Sequence, residues 1–575
     1  MLARQPTVSF STIPNVYPRA VAPHAVPINW RVALSSIVIG GVYLAASWHI
    51  SGPAYLRDEI GYLANAAFLA GYRIDAASSF HAGYSLFIAP AFLLSGPWGV
   101  WKAVLTINAI LWAANFAMLY ALLRRLLPHV QPSRLLTATI VSALYPTWII
   151  STGYAFATTA FAAVFLASAL TLFLWSRDNP LSILPHAALT GYLYWVHPTG
   201  AAVAIVSVLA VALGSWRRRD ARPLLLHAAI IAALILVYQL DIHPWIVASM
   251  TPPGYAPEFH YPSLASALKT LFTWQGFTVF VTMAGGQLAY FIVASFGMSL
   301  AGLLFCARRT LRVPDGDGDD DENLRPACLL ISLAPLGVIA LGAIAFFHWD
   351  RFEGGFWIYG RYLDGAILPV LAIGLTVFRP DLRLALAAVF VAAVGLLLTM
   401  MVPSGVEHDI SDTVAFWPQY VSRGAGFLAW MMLGAVAVAA VAHFGRRLVV
   451  GLMAVSFALS LYHQTVWHHW FLTELSAPSP LVQTIRSTVP RGTCVGFNPS
   501  LPAEATLVQA TRYRLHSFYL FDYAYRRMSP TEWLTQCNGP YLTYDVPNLH
   551  EIGSVQRIAE DAKSGLLLVQ KVRAH

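Results

Sequence analysis

A series of long apolar segments, separated by short polar connections, constrains the fold of this chain more than any other feature. A helix needs about 20 apolar residues to cross the hydrocarbon core of a bilayer. The chain is 57% hydrophobic and only 11% charged, a composition that excludes an ordinary soluble protein. We expect about thirteen spans and therefore a polytopic α-helical membrane protein. They fall near residues 32–50, 100–122, 134–151, 155–175, 181–197, 199–215, 223–241, 277–306, 327–347, 363–378, 383–402, 425–443 and 448–466.

The positive charges indicate the orientation of these spans. Lys and Arg lie in short clusters in every second connection rather than on one basic face, which argues against a nucleic-acid partner. The N-terminal segment 1–31 also carries arginines and no acid. Because connections rich in Lys and Arg stay in the cytoplasm, we expect a cytoplasmic N-terminus, a membrane domain over 32–466 and an extracytoplasmic C-terminus. The clusters contain Arg124, Arg125, Arg134, Arg177, Arg217, Arg218, Arg219, Arg222, Arg308, Arg309, Arg312, Arg325, Arg379, Arg383, Arg446 and Arg447.

The composition changes at about residue 467, where the apolar segments end. Gly492–Phe497 and Gly565–Lys571 have the pattern of short strands, and Pro480–Val489 and Pro530–Cys537 that of helices. Residues 467–575 are therefore predicted to form an extracytoplasmic α/β domain. Its two cysteines, Cys494 and Cys537, can form a disulfide on that side of the membrane, but sequence spacing alone does not decide whether they do.

The first outer loop, residues 51–99, holds an adjacent acidic pair, Asp58 and Glu59. The residues that follow predict an amphipathic helix lying along the outer interface. One interpretation is that the two acids are first-turn residues favoured by the helix dipole; the other is that one of them is a general base. The apolar segment Gly83–Ser95 is too short to span and should be interfacial or re-entrant.

A second polar region precedes the span at 363–378 and contains Arg351, Tyr359, Arg361, Tyr362 and Asp364. Arginine near the membrane is costly unless it is paired or binds an anion. An Arg361–Asp364 pair and a bound phosphate are therefore both open interpretations.

Metal binding is not indicated by the sequence. The cluster His463, His468 and His469 matches no ligand motif and lies where aromatic and His residues crowd a membrane interface. The acidic run Asp315–Glu322 resembles a calcium loop only superficially, because its sixth position is Asp320 and not the required Gly. We therefore expect no cofactor and assign no metal ligand, and the sequence leaves dependence on a divalent metal open.

Taken together, these features resemble the GT-C glycosyltransferases, membrane enzymes that take a sugar from a polyprenyl-phosphate carrier. The resemblance is carried by the acidic pair after the first span, the GYSLFIAP segment from Gly83, the second span ending in Arg124–Arg125, the GRYLDG element at Gly360–Gly365 and the outer C-terminal domain. It implies a GT-C fold in a bacterial inner membrane. It also implies inverting transfer to an envelope glycan, a lipid or a pilin-like protein on the extracytoplasmic face.

The resemblance also implies roles for individual residues. Asp58 matches the family's catalytic base, with Glu59 as the alternate. The donor phosphate and sugar would be bound by Arg361, Tyr362, Arg351, Tyr359, Lys102, His197 and His81, and the acceptor side would include Tyr62 and Tyr84. A lone histidine is more often structural than functional, and that interpretation stays open for His81 and His197.

The donor sugar stays open because the sequence departs from better-known members of the family. His197–Pro198 stands where many show Arg-Pro, and Tyr154–Thr159 where some show Ser-Glu. The Gly-Arg-Tyr element is similar to that of bacterial arabinofuranosyl and mannosyl transferases of the envelope, which favours a bacterial envelope or pilin-modifying enzyme. The resemblance leaves arabinofuranose or another pentose or hexose as the sugar.

Two other functions compete with this interpretation. A transporter or flippase for a lipid-linked glycan should carry charged or interrupted spans at midplane depth, whereas the acids here lie in outer loops. A polymerase or ligase of the O-antigen type would concentrate its key residues in one large outer loop, whereas here they are spread over several.

Overall fold

The computed structural model describes residues 30–53, 58–74, 80–94, 96–251, 264–311, 322–345, 360–379, 382–401, 425–470, 478–498, 515–544 and 555–572. Arg351 and Tyr359 lie outside these ranges. Asp58 and Arg361 belong to described helices, but their side chains are outside the description, as are those of His463, His468 and His469.

Every predicted apolar segment is helical over most of its length. The helices of the membrane body are α1 (Trp30–Ser47), α2 (Asp58–Leu69), α3 (Gly83–Ile88, continued by a 3-10 turn at Ala89–Leu93), α4 (Pro97–Leu126), α5 (Pro132–Ser142), α6 (Pro146–Thr152), α7 (Ala157–Thr171), α8 (Leu184–Val196), α9 (Gly200–Arg218), α10 (Arg222–Val237), α11 (His243–Met250), α12 (Leu264–Leu271), α13 (Trp274–Val293), α14 (Met298–Leu311), α15 (Leu324–Ala345), α16 (Arg361–Val377), α17 (Leu382–Met401), α18 (Ala425–Phe444) and α19 (Arg446–Trp470).

The protein is a multi-pass membrane protein. Among the described residues, seven helices are long and apolar enough to cross a bilayer, and the bent pair α5–α6, with 58° between its two parts, makes an eighth if it is one span. Shorter apolar helices cover Gly83–Leu93, Tyr362–Val377, Leu382–Leu397 and Met431–Phe444. The count of about thirteen spans therefore stays a prediction, while the helical membrane architecture is confirmed.

The segment predicted as one span at 277–306 is two helices, α13 and α14. The chain turns between them with Phe296 and Gly297 at positive φ (49° and 82°), and the Ser295 hydroxyl accepts the Ser299 N–H. Hydropathy records how apolar a segment is and not where its backbone turns, which is why the prediction of one continuous span was wrong. After the turn, α14 packs closely on α16, where a Cβ at Gly302 would lie 1.9 Å from the Val370 carbonyl oxygen.

The first outer-loop helix, α2, is buried rather than lying on the interface. Its residues from Glu59 to Ala67 are shielded from solvent. The C-terminal domain covers the end of this loop, where Phe521 packs against Tyr72 and Phe92 with ring centroids 5.0 and 5.2 Å apart. The predicted exposed polar face of α2 was wrong because later parts of the chain cover it: Asn65 donates to the Phe80 carbonyl, and Tyr62 packs against the rings of Phe80 and Tyr84.

The C-terminal domain contains two helices, α20 (Pro480–Thr488) and α21 (Pro530–Gln536), and a five-stranded mixed sheet. Its strands are β1 (Cys494–Phe497), β2 (Ala524–Arg527), β3 (Tyr541–Thr543), β4 (Val555–Asp561) and β5 (Leu566–Lys571), in the order β2-β1-β3-β5-β4. Strand β1 pairs in parallel with β2 and with the central strand β3, and β5 pairs antiparallel with β3 and β4. The predicted helices and strands of this region are thus present.

Cys494 and Cys537, whose pairing the sequence left open, form a disulfide with Cα atoms 5.5 Å apart. The bond joins the start of β1 to the end of α21 and closes 43 residues of chain.

Replacing both cysteines, Cys494→Ser with Cys537→Ser, should lower the free energy of unfolding of the C-terminal domain by about 2–5 kcal/mol, because the unfolded chain regains the entropy of the open loop. Thermal unfolding of the purified protein measures this change. As a control, denatured wild type should label two of its four cysteines with maleimide before reduction and all four afterwards. Four labelled thiols without reduction would contradict the bond.

Candidate functional site

A cavity lies where α2, α7, the α8–α9 turn and α16 meet. It encloses about 290 Å³ of empty space, including its opening to solvent. Its lining is mainly aromatic and hydroxyl-bearing: Tyr62, Ala157, Thr158, Phe161, His197, Thr199, Tyr362 and Gly365.

Three of the described helices begin at this cavity. Ala157 and Thr158 open α7, Thr199 directly precedes α9, and Tyr362 is the second residue of α16. None of the three helices has a side-chain N-cap. The first three N–H groups of α9 already donate to the carbonyls of His197, Pro198 and Thr199. Helix N-termini nevertheless carry partial positive charge, so the dipoles of these three helices favour an anion in the cavity.

The rings of His197 and Tyr362 pack against each other in the wall of this cavity, with centroids 4.6 Å apart. Nδ1 of His197 accepts the Thr199 N–H at 3.3 Å and lies 2.8 Å from the Thr199 hydroxyl. With Nδ1 acting as an acceptor, the neutral ring carries its proton on Nε2. Tyr62, which the sequence analysis assigned to the acceptor side, lines the same cavity.

Glu59 ties α2 to the start of α7. Its carboxylate is fully buried, and Oε1 accepts the backbone N–H of Ala155 at 2.8 Å, two residues before α7 begins. Tyr84 restrains the same turn: its hydroxyl donates to Asn108 Oδ1 at 2.9 Å, and Asn108 Nδ2 donates to the Tyr154 carbonyl at 2.7 Å. Glu59 and Tyr84 therefore hold the backbone that leads into the cavity.

Asp364 anchors the start of α16. Its carboxyl group is fully buried. Oδ1 accepts hydrogen bonds from the Tyr145 hydroxyl at 2.7 Å and from the Tyr290 hydroxyl at 2.9 Å. A Cβ at Gly360 would lie 2.0 Å from the Tyr290 ring, so the close approach of these elements requires glycine there. The predicted Arg361–Asp364 pair stays untested, since the Arg361 side chain lies outside the description.

Lys102 lies away from the cavity and closes the end of α1. Its ammonium group donates to the carbonyls of Trp48 and Ile50, at 3.0 Å for Ile50, and lies 4.8 Å from the centroid of the Trp48 indole. These contacts give it a structural role.

His81 also lies away from the cavity, packed among aromatic rings. Nδ1–H donates to the Tyr194 carbonyl, and the rings of Tyr238 and His243 lie 4.9 and 5.5 Å away. Burial lowers the pKa of His81 to about 3; the hydrogen bond to Tyr194 opposes this shift and the nearby His243 adds to it. His81 is therefore neutral at pH 7.

Several residues of the site escaped sequence reasoning. No motif in the neighbouring sequence marks Thr158 or Thr199 as a site residue, and Phe161 is indistinguishable from the other apolar residues of its span. Tyr145 and Tyr290 are recognisable only through the carboxylate that they hold. Within the described ranges, no three His, Cys, Asp or Glu side chains gather in a geometry that holds a metal ion.

The architecture is similar to that of known membrane proteins. Two structures of ArnT from Cupriavidus metallidurans, one bound to undecaprenyl phosphate and one in the apo state, match 94% of this chain and 97–98% of their own, at 14% identity and TM-scores of 0.50 and 0.51. The arabinosyltransferase EmbB from Mycobacterium smegmatis matches 83% of this chain and 45% of its own, at 16% identity and a TM-score of 0.40. No family model and no curated protein sequence matches the chain.

The buried His81 should make the protein acid-sensitive. In the unfolded chain its pKa returns to 6.5, so between pH 6.5 and about 3 the unfolded state binds the proton and the folded state does not. Stability should therefore fall as the pH drops below 6.5. Thermal unfolding at pH 7.5 and 5 measures this, and His81→Gln should lose less stability over that interval than wild type.

His129→Asn, at an exposed position between α4 and α5, is the matched control and should behave as wild type. Equal pH sensitivity of His81→Gln and wild type would contradict this role of His81.

Proposed function

We propose that this chain, which has the fold of the GT-C membrane glycosyltransferases, transfers one sugar from a polyprenyl-phosphate donor to an acceptor hydroxyl, with inversion at the anomeric carbon. The observation that carries the proposal is the small cavity onto which three uncapped helix N-termini open beside the first outer-loop helix. An anion site next to a carboxylate is what transfer from a lipid phosphate requires.

Asp58 is the base in this proposal. Positions four apart in a helix share a face, and position 58 precedes the cavity-lining Tyr62 by four. The acceptor oxygen attacks the anomeric carbon, the bond from that carbon to the phosphate oxygen breaks, and the acceptor proton passes to the Asp58 carboxylate. The bond electrons leave with the polyprenyl phosphate, which departs as the anion.

The two adjacent acids have different roles. Glu59 is buried and already accepts the Ala155 N–H, so we assign it to positioning the start of α7. The Tyr84 hydroxyl likewise donates to Asn108, so we assign Tyr84 to holding the site in place rather than to contacting the acceptor. Tyr62 keeps its proposed place on the acceptor side.

The phosphate is held by the N-termini of α7, α9 and α16, with the Thr158, Thr199 and Tyr362 hydroxyls and His197 as further donors. Arg361, the first residue of α16, and Arg351 and Tyr359 in the preceding loop remain proposed donor-binding residues. Lys102 and His81 are assigned to the scaffold because their described contacts lie elsewhere.

A polyprenyl phosphate as the carrier of the donor sugar is supported by the similar ArnT structure, which is bound to undecaprenyl phosphate. The sugar is proposed to be arabinofuranose or another pentose or hexose, and the acceptor an envelope glycan, a lipid or a pilin-like protein. The enzyme is proposed to lie in a bacterial inner membrane with the cavity and the C-terminal domain outside the cytoplasm. The disulfide and the basic clusters at the opposite helix ends support this orientation.

Asp58→Asn should abolish transfer while donor binding persists, because it removes the base and keeps the side-chain shape. A loss of about 10²–10⁴-fold in turnover is expected for a general base. The measurement is sugar transfer by purified protein in lipid, with a panel of polyprenyl-phosphate sugars and envelope extracts. Glu59→Gln, which still accepts the Ala155 N–H, should lose about tenfold or less.

Normal transfer by Asp58→Asn would overturn the base assignment and make Glu59 the candidate. If wild type moves no sugar from any donor but carries lipid-linked glycans across vesicles, the transporter function replaces the proposal.

Thr158→Asp should weaken binding of a polyprenyl phosphate by about tenfold or more, since a carboxylate within several ångströms of the phosphate repels it. An acid in the first turn of α7 is otherwise favourable to the helix dipole. Thr158→Asn is the matched neutral control and should bind nearly as wild type. Equal affinities of the two variants, measured by ligand-induced shifts in unfolding temperature, would place the phosphate elsewhere.

A further inference from the structure

Phe521 joins the C-terminal domain to the first outer loop of the membrane body. Its side chain is 3% exposed, and its ring packs edge-on against Tyr72 and Phe92, with ring centroids 5.0 and 5.2 Å apart. Tyr72 follows α2, and Phe92 lies in the 3-10 turn that continues α3. Edge-to-face pairs of aromatic rings are favourable and have a preferred geometry. One side chain of the C-terminal domain therefore contacts the chain directly after both helices of the loop.

Tyr72 is tied to the last turn of α2 by the backbone. Gly71 has a φ of 85°, and its N–H donates to the Phe68 carbonyl at 3.0 Å. The Tyr72 N–H donates to the Ala67 carbonyl at 2.8 Å. These two hydrogen bonds around a glycine at positive φ form a Schellman motif, which ends a helix with a defined geometry. The Tyr72 backbone and the end of α2 are thus held as one unit.

The contact with Phe92 leads to the middle of α2 by a second route. On α3, the Ser85 hydroxyl donates to the Tyr62 carbonyl at 2.8 Å, and the Tyr84 ring lies 5.5 Å from the Tyr62 ring. The helix that Phe92 follows is therefore fastened to α2 at Tyr62, a residue that lines the cavity. Through these two routes, the place of Phe521 is linked to the place of α2.

Arg486 of α20 holds the segment that carries Phe521. Its guanidinium forms a bidentate pair with Asp522, the next residue in the chain, at 2.7 and 2.9 Å. It also donates to the Tyr519 carbonyl at 2.9 Å. Both members of the ion pair are largely buried, with 13% and 11% of their side chains exposed. Because bidentate pairs are geometrically specific, the backbone on both sides of Phe521 is fixed from within the C-terminal domain.

We propose that Phe521 is a positioning residue for sugar transfer, through which the C-terminal domain sets the place of α2. This helix carries Asp58, the base in the proposed function, and Tyr62 of the cavity wall. The helix N-termini proposed to hold the phosphate belong to α7, α9 and α16. A displaced α2 therefore impairs proton transfer from the acceptor more than it impairs donor binding. The inference rests on the proposed function.

The experiment measures donor KM and kcat per donor-binding site for the full-length protein in lipid. Phe521→Leu removes the ring and keeps an apolar side chain in its place. We expect it to lower kcat per site by about tenfold, as small displacements of reacting groups do, and to leave donor KM nearly unchanged. Titration with undecaprenyl phosphate counts the sites, so that a loss of folded protein is not mistaken for misplacement of α2.

Phe497→Leu is the matched control. Phe497 is a buried residue of β1 whose ring stacks on Tyr525 at 4.5 Å inside the sheet domain. The change removes the same kind of ring from the same domain, so it costs stability but should keep the wild-type kcat per site.

Tyr72 tests the contact from the side of the loop. Tyr72→Phe keeps the ring and should turn over as wild type, whereas Tyr72→Ala removes the partner of Phe521 and should lower kcat per site. The double variant of Phe521→Leu with Tyr72→Ala should lose less than the product of the two single losses, because both changes remove one contact.

A wild-type kcat per site in Phe521→Leu, or an equal loss in Phe497→Leu, would overturn the inference. If wild type transfers no sugar from any donor, the proposed function fails, and the placement of α2 is then read by hydrogen–deuterium exchange. Faster exchange of the α2 amides in Phe521→Leu than in Phe497→Leu supports the link between Phe521 and α2. Equal exchange in the two variants overturns it.

Discussion

The hydrogen bond between the Ala155 N–H and the buried Glu59 carboxylate is the interaction on which the rest of the site depends. A carboxylate removed from water is costly unless it is hydrogen-bonded. Here a buried carboxylate from the first outer loop is compensated by the backbone that leads into α7. The loop and the helix are thus held in one geometry, and Tyr84 with Asn108 restrains the same turn from the other side.

The positive character of the cavity comes from helix ends. α9 begins at the cavity and ends with Arg217 and Arg218, where Arg218 pairs with Glu322 at 3.0 Å. Arg379 likewise follows α16. Cations at C-termini and an anion site at N-termini both complement the helix dipole. The same helices therefore carry cations at one end and present the partial positive charge of their N-termini to the cavity at the other.

The site also joins two parts of the chain that differ in composition. The membrane body supplies the cavity, while the sheet domain supplies Tyr519 and Phe521, which pack against Trp98 and Tyr72 of the first outer loop. Within the C-terminal domain, Arg486 holds this segment by donating to the Tyr519 carbonyl and to the Asp522 carboxylate.

The sequence by itself determined the membrane architecture, the helical segments, the strands and helices of the C-terminal domain, and the outer loop that holds the acidic pair. Hydropathy, periodicity and charge are local properties, so each can be read within one segment. The break at Phe296–Gly297, the burial of α2 and the scaffold contacts of Lys102 escaped this reasoning. Only the tertiary structure decided that His197 meets Tyr362, that Asp364 is held by Tyr145 and Tyr290, and that Phe521 packs against Tyr72. Each of these contacts joins distant segments, and a single sequence carries no pairwise information about them.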